Sequence, residues 1–375
     1  MAGGIYVHIP FCRKACNYCN FYFTTSVRLL NDFVNALLKE AVLQKNFFEG
    51  DTIETLYFGG GTPSILPPEA LIKITSHILQ HYKCSLNEFT IEANPDDIND
   101  EKIRALKELQ RLGLNRISLG VQSFFDDDLV YLQRNHTSAD AEAAIKRLQD
   151  AGFTNISIDL IYGIPTLTDK RWQENLEKIE SLGINHFSAY SLTVEENTAL
   201  FQKIKKRKLA KLEDEHSAAQ FDMLMDFAEK HGYEHYEISN LAKPGYRALH
   251  NSSYWQGKPY LGLGPSAHSF KDNIRKWNVS HLKKYIEQVV EELPNENLEF
   301  LSPRDKANEL MLTSLRTSDG LDLSHPLIIV FSNYIREKLK EIPRHHYRVQ
   351  DNKLVLTKEG RHFADSIALQ LWIEE

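Results

Sequence analysis

Three of the chain's four cysteines fall close together, at Cys12, Cys16 and Cys19, in the run Pro10-Phe11-Cys12-Arg13-Lys14-Ala15-Cys16-Asn17-Tyr18-Cys19-Asn20-Phe21. Three thiolates this near one another point to an inorganic site rather than to packing. A closed structural zinc site takes four ligands, whereas an iron–sulfur cube takes one ligand per iron. Three cysteines would leave one iron open to a small molecule. The alternatives are a three-cysteine zinc site completed by a histidine such as His8, or scattered buried thiols. Cys84 stands alone and reads as a packed or surface thiol.

Other residues suited to chemistry recur along the first half. Gly59-Gly60-Gly61 ahead of Thr62-Pro63 would let backbone amides approach a ligand, with no β-carbon in the way. Glu92 and Asp159 are acceptors for hydroxyls or an ammonium, and Gln122 both donates and accepts. Arg134 offers a bidentate grip on a carboxylate. Taken singly, each would pass for a surface or capping residue.

Their positions give them weight. From Ile5 to Leu192 the chain alternates β-branched or aromatic runs (5–9, 55–58, 89–93, 116–121, 155–161, 186–192) with amphipathic stretches (31–47, 68–82, 100–112, 139–151, 169–182). Asn99 and Asp169 read as N-caps, and Gly113, Gly152 and Gly183 fall just past helix ends. Strands separated by helices pair in parallel through right-handed crossovers. Six such units predict an α/β fold, a partial (βα)6 TIM-like barrel. A complete eight-unit barrel is the alternative, but no seventh or eighth unit is as clear. In such folds chemistry gathers at the C-terminal strand ends. Here those ends carry the cysteines, the glycine run, Glu92-Ala93-Asn94-Pro95, Gly120-Val121-Gln122-Ser123, Asp159-Leu160-Ile161-Tyr162-Gly163 and Tyr190-Ser191-Leu192-Thr193.

The C-x3-C-x2-C spacing after an apolar strand, Tyr6-Val7-His8-Ile9-Pro10-Phe11-Cys12, and the strand-end motifs together resemble the HemN/HemW branch of the radical S-adenosylmethionine (SAM) superfamily, and the HemW family most closely. The resemblance covers essentially the whole chain. It implies a [4Fe-4S] cluster on Cys12, Cys16 and Cys19, whose open iron chelates the amino and carboxylate groups of SAM and passes it an electron. It further implies that Tyr6, Tyr18, Gly60, Gly61, Thr62, Glu92, Gln122, Arg134 and Asp159 surround SAM, with Thr193 at a matching position. Two features depart from the HemN pattern: Phe21 stands where HemN has a further cysteine, and HemN's N-terminal extension has no counterpart. Both agree with HemW, whose family role is haem binding and transfer. The expected function is therefore a haem chaperone, with coproporphyrinogen dehydrogenase activity absent. The alternative is a radical SAM oxidoreductase acting on a porphyrinogen.

After Leu192 the alternation stops. The basic run from Lys203 to Lys208, with Lys211 beyond it, reads as a solvated helix face or a docking patch for an acidic partner. Residues 213–231 read as an amphipathic helix with Phe221, Leu224, Met225 and Ala228 inward. An aromatic, turn-rich stretch then leads to His250-Asn251-Ser252-Ser253-Tyr254-Trp255. A histidine with Tyr and Trp at this spacing serves as a haem ligand beside an aromatic wall or as a hydrogen-bonded structural residue. The resemblance favours the first, since the HemW family carries this HNxxYW motif. His268 is a second candidate, in a loop where Ser266 replaces a residue more often glycine. Helices at 305–315 and 324–339, a hairpin around Asp351-Asn352 and a helix from 358 to 373 suggest a winged-helix-like domain without a basic recognition face. The expected divisions are 1–193 for the barrel, 194–300 for its extension and 301–375 for the C-terminal domain.

Composition narrows the class further. A chain of 375 residues with 42% hydrophobic residues can bury a large core, and its net charge of −7 argues against a general nucleic-acid binder. The sequence opens directly on a strand, without a leader pattern, and thiolate ligands favour a reducing compartment, so the expected location is the cytoplasm. The expected partners are haem and a haem-acceptor protein, with a membrane-bound acceptor and a second copy of the chain left open.

Overall fold

Six parallel strands form the centre of the computed structural model, which describes residues 3–294 and 297–374. They are β1 (Gly3–Ile9), β2 (Ile53–Gly60), β3 (Cys84–Ala93), β4 (Arg116–Gln122), β5 (Ile156–Tyr162) and β6 (His186–Ser191), each hydrogen-bonded to the next in sequence. Between them run α1 (Leu30–Leu43), α2 (Pro68–His81), α3 (Asp100–Arg111), α4 (Asp126–Tyr131), α5 (Ser138–Asp150) and α6 (Asp169–Ser181). The sequence-predicted units are all present. Asn99 caps α3 by accepting from the Lys102 N–H. For α6 the cap is Thr168 rather than Asp169: the Thr168 hydroxyl accepts from the Arg171 N–H, and Asp169 becomes the first helical residue. Gly113, Gly152 and Gly183 adopt φ of +106°, +86° and +66° just past their helices.

The two faces of this sheet differ sharply. Ile5, Val7, Leu56, Phe58, Phe89, Ile91, Ile117, Leu119, Ile158, Leu160 and Phe187 are buried in the main core. The alternate positions are polar: Tyr6 and His8, Thr55 and Tyr57, Glu88, Thr90 and Glu92, Arg116 and Ser118, Ser157 and Asp159, His186 and Ser188. Successive side chains on a strand point to opposite faces, so this parity gives an apolar outer face under the helices and a polar inner one. Parallel sheets covered on both sides are usually apolar on both faces. This one is the wall of a polar bowl.

Both edges are extended. After α7 (Ala199–Lys205) and α8 (Asp214–His231) come β7 (Glu234–Glu237) and β8 (Asn240–Ala242); β8 pairs antiparallel with β6, and β7 pairs antiparallel with β8 at the edge. After α9 (Leu249–Trp255), β9 (Tyr260–Leu263) pairs parallel with β1, followed outward by β10 (His268–Lys271) and β11 (Ile274–Trp277) and, after α10 (Leu282–Val290), β12 (Leu298–Phe300). The stretch expected to be turns is thus edge strand and helix. The basic run is not one helix face either: α7 ends at Lys205, and Arg207 turns the chain with φ +54°.

The C-terminal segment holds its own apolar cluster, from Ala307 to Ile373. It contains α11 (Pro303–Leu315), β13 (Leu321–Asp322), α12 (Pro326–Ile329), α13 (Ser332–Leu339), the hairpin β14 (Tyr347–Gln350) and β15 (Lys353–Leu356), α14 (Lys358–Arg361) and α15 (Ala364–Gln370). Asp351 and Asn352, at φ +50° and +61°, make the two-residue turn. The helix expected over 358–373 is broken between α14 and α15.

Helix α9 fills the N-terminal end of the bowl. The buried carboxylate of Glu88, on β3, accepts from the backbone N–H groups of Leu249 (2.7 Å) and His250 (2.9 Å) at the start of α9. These are helix-end donors with no intrahelical partner. Glu88→Ala is therefore expected to cost about 2–4 kcal/mol of unfolding free energy, with Glu88→Gln recovering part of it because an amide oxygen still accepts. Urea denaturation of the two variants beside the wild type checks this; equal stability of all three would remove Glu88 as the anchor.

Candidate functional site

The cysteine loop leaves β1 at Pro10 and returns beside its own start: Cys12 N–H donates to Thr24 O (3.0 Å) and Thr24 N–H donates to Pro10 O. Three further ties fix it to the bowl's C-terminal rim. Arg13 pairs with Asp97 (2.7 Å), beyond β3, and Asp97 also accepts from Ser64. The side chain of buried Asn17 donates to Tyr131 O (2.6 Å) at the end of α4, and its backbone carbonyl accepts from Leu200 N–H.

The glycine run closes against this loop. A β-carbon on Gly61 would lie 2.7 Å from Phe11 O and 3.0 Å from Cys12 Sγ; one on Gly60, whose φ is +111°, would meet the His8 ring at 2.7 Å. The N–H of Gly60 donates to Glu92 (3.2 Å) and that of Gly61 to Ile9 O (2.8 Å). The expectation that these amides face a ligand is corrected here: both are used inside the protein, and the glycines serve close approach to Cys12 and His8.

The three thiols lie in one polar neighbourhood. Thr62 donates to Cys12 Sγ (3.6 Å) and accepts from Asn94 (3.1 Å). Arg134 donates to Cys16 Sγ (3.4 Å), Asn94 Oδ1 (2.5 Å) and Gly120 O (2.8 Å). Burial pushes the Cys12 thiol up to about 11, the Thr62 hydrogen bond working against it and the Cys19 and Cys16 thiols adding to it. Cys19 is raised for the same leading reason. Burial thus favours the protonated form of Cys12 and Cys19, and a bound metal would supply the charge that ionises them. The donors from Thr62 and Arg134 already point at sulfur, as hydrogen bonds to cluster thiolates would. His8, the histidine a zinc site would recruit, has Nδ1 against Tyr6 Oη (3.3 Å) and Nε2 against Tyr22 O (3.1 Å). With His8 engaged on both nitrogens, the donor chemistry is that of three thiols, which suits a cube rather than a zinc site completed by His8; among the described residues the three are not drawn together into a metal-binding group.

Below the loop, the inner face gathers the other sequence-predicted residues. Glu92 accepts from Tyr57 Oη (2.7 Å) as well as from Gly60. Burial raises its carboxyl to about 7, with the charge of Asp159 adding to the shift and the Tyr57 and Gly60 hydrogen bonds opposing it. Asp159 is raised by burial against hydrogen bonds from Ser188 and Ser118. Gln122 ends β4 at φ +69°, a conformation a non-glycine residue rarely takes. Its side chain stands beside Arg134 over Gly120: a β-carbon there would lie 3.0 Å from Gln122 Nε2 and 3.1 Å from Arg134 Nη2. Tyr18 lies beside Arg134, Cys16 and Cys19, and Tyr6 reaches Glu92's surroundings. Thr193 is the outlier, exposed past the end of β6.

The structure brings two more residues into the site. Tyr57 bridges Glu92 and the His250 ring, which stacks on it at 5.0 Å. Arg116, fully buried, donates to His186 Nδ1 (3.1 Å), so His186 carries its proton on Nε2, toward Tyr236 Oη (2.8 Å). The parity of polar residues on β2 and β4 is the signal that marks both.

His250 does not face an open surface. It is 1% exposed, with Nδ1 against Thr55 Oγ1 (2.8 Å) and Nε2 against Tyr254 Oη (2.8 Å). Burial, then the charge of Arg116, pushes it down to about 3, so the ring is neutral. In this arrangement the ring is enclosed by Thr55, Tyr57 and Tyr254, and the hydrogen-bonded reading of His250 describes it. His268 is the exposed one, stacked on Trp277 at 5.9 Å. Ser266 takes φ +64°, the left-handed conformation that a glycine would adopt without strain.

Residues 6–179 match the family model of the Radical SAM superfamily. The chain is 37% identical over 321 residues to the haem chaperone HemW of Bacillus subtilis, covering 84% of each protein. It is 32% identical over 375 residues to HemW of Mycobacterium tuberculosis, covering 98% of this chain and 94% of that one. Its fold is similar to that of coproporphyrinogen III oxidase (HemN) from Escherichia coli, a radical SAM enzyme, with a TM-score of 0.83 and 24% identity over 99% of this chain and 90% of that one.

The close packing of Gly61 on Cys12 makes a specific expectation. Gly61→Ala should fold, yet incorporate markedly less iron and sulfide on anaerobic reconstitution, and Cys16→Ala should abolish the cube. Iron and sulfide analysis is the check; about four irons per chain in either variant would contradict the assignment.

Proposed function

Because the chain belongs to the HemW family of haem chaperones within the radical SAM superfamily, we propose that it binds haem and hands it to an acceptor protein, using the rim site for a [4Fe-4S] cluster and SAM. The observation that carries this is identity above 30% across nearly the full length of HemW proteins. The rim supports it: three thiols held to the strand ends, with donors from Thr62 and Arg134 on two of them. Cys12, Cys16 and Cys19 would hold the cluster, which when bound supplies an open iron for the amino and carboxylate groups of SAM and an electron. Glu92 and Asp159 would accept from the ligand's hydroxyl or ammonium groups. Arg134 and Gln122 would orient its carboxylate end, while Tyr6, Tyr18, Gly60, Gly61 and Thr62 shape the walls and Thr193 borders the opening.

The same reading takes in the division at 193/194 and 300/301, supported by the end of the parallel alternation and by the separate apolar cluster from Ala307 to Ile373. It places the protein in the cytoplasm; among the described residues, no helix is long and apolar enough to cross a membrane. The acceptor set includes a membrane-bound haem protein, and a second copy of the chain is a further partner. Nucleic acid is not among them.

His250 is the proposed haem ligand, in an arrangement where its Nε2 is released from Tyr254. Neutral imidazole is the form that ligates a metal, and burial keeps this ring neutral. Tyr254 therefore competes with iron for the same nitrogen. Tyr254→Phe removes a hydrogen bond of about 1 kcal/mol, which corresponds to roughly fivefold tighter haem binding, while His250→Ala weakens binding and shifts the Soret band. Anaerobic haem titration of both variants tests this. Unchanged affinity and spectrum in His250→Ala would remove His250 as the ligand.

A further inference from the structure

A cleft of about 320 Å³ lies where the C-terminal segment meets the bowl's rim. That volume is at the lower end for small-molecule sites. Tyr162 and Ser191, the last residues of β5 and β6, line one side, Phe221 of α8 the floor, and Arg361, His362 and Phe363 the other side.

The charges in this cleft are unevenly matched. Arg316 is satisfied, holding Glu237 at 3.0 Å and Asp365 at 2.7 Å. His362 faces Asp222 at 2.9 Å. Arg361 is different: among the described residues no carboxylate, carbonyl or hydroxyl pairs with its guanidinium. Its pKa is lowered by burial and by the charge of Arg348, and no acid offsets either effect. Its nitrogens are not among the buried unpartnered atoms, so they face the cleft's solvent and are free to take an anionic partner, which a planar guanidinium holds bidentately. Around it the walls are aromatic: the Phe221 ring meets His362 edge-on at 5.0 Å, and Tyr162 stacks on Phe221 at 6.1 Å. The cleft also adjoins the HNxxYW helix, since Arg316 lies over the Trp255 ring at 5.6 Å.

We propose that this cleft binds the carboxylate-bearing edge of a flat aromatic ligand, with Arg361 gripping the carboxylate. Resting on the haem-chaperone reading, that ligand is haem and the carboxylate one of its propionates. Arg361 is then a binding residue on the C-terminal segment, and haem would be held between this segment and the barrel rim.

The test compares wild type, Arg361→Lys and Arg361→Gln as full-length, cluster-loaded protein, all with matching circular dichroism. Each is titrated with haem, haem dimethyl ester, 1-pyrenebutyrate and 1-pyrenebutanol. The expected result is that wild type prefers each acid over its uncharged partner by about tenfold or more. Arg361→Gln should lose that preference, and Arg361→Lys should keep part of it. If wild type binds haem but Arg361→Gln binds it equally well, the cleft proposal fails and the haem reading stands. If pyrenebutyrate binds through Arg361 while haem does not bind at all, the cleft stands and the haem reading fails. Wild type that fails to distinguish either acid from its uncharged partner overturns the proposal.

Discussion

The structure depends on the parity of its six parallel strands. Each sends apolar side chains outward to the helices and polar ones inward, so folding encloses a row of hydroxyls, carboxylates, imidazoles and one fully buried guanidinium. Polar groups taken out of water must find partners or they cost more than the packing returns. At the N-terminal half of the bowl the protein supplies most of those partners itself. Arg116, Ser157 and Tyr236 all engage His186, and Glu88 and Thr55 engage the helix that carries His250, although Arg116 Nε stays without a partner. At the C-terminal half two acids are strained by their surroundings: Glu92 and Asp159 both carry raised pKa values from burial, and Arg134, like Arg116, leaves Nε without a partner. That half is where a ligand would complete the network.

The parity also explains how much could be read in advance. Strand positions, their order and the strand-end residues were legible because strands with one buried face and helices with one apolar stripe leave strong periods. The cysteine loop was legible from spacing alone. The edges were not: β7 to β12 are three or four residues long and carry aromatic and glycine residues that read equally well as turns. Thr168 against Asp169 illustrates the smaller limit, because two adjacent residues that can both cap differ in where the chain enters the helix, and here that outweighs the higher capping rank of Asp.

The environment of His250 resisted sequence reading for another reason. Its neighbours in space, Thr55, Tyr57 and Glu88, come from strands far away in sequence. A motif that looks like a surface ligand site is a helix seated in the bowl, and its histidine reaches the rim in two contacts, through Tyr57 to Glu92. A cargo that draws His250 away would therefore disturb the wall on which the rim ligand rests.

The central claim is that this scaffold carries haem rather than oxidising a porphyrinogen, although its fold is that of HemN. Phe21, two residues past Cys19, is 75% exposed. One sample of anaerobically reconstituted protein, supplied with SAM and reductant, decides between the two. It is titrated with haem, and a second portion is given coproporphyrinogen III with products followed by chromatography. The account predicts stoichiometric haem binding and no protoporphyrinogen IX. Protoporphyrinogen formed over many turnovers, with no saturable haem binding, would contradict it.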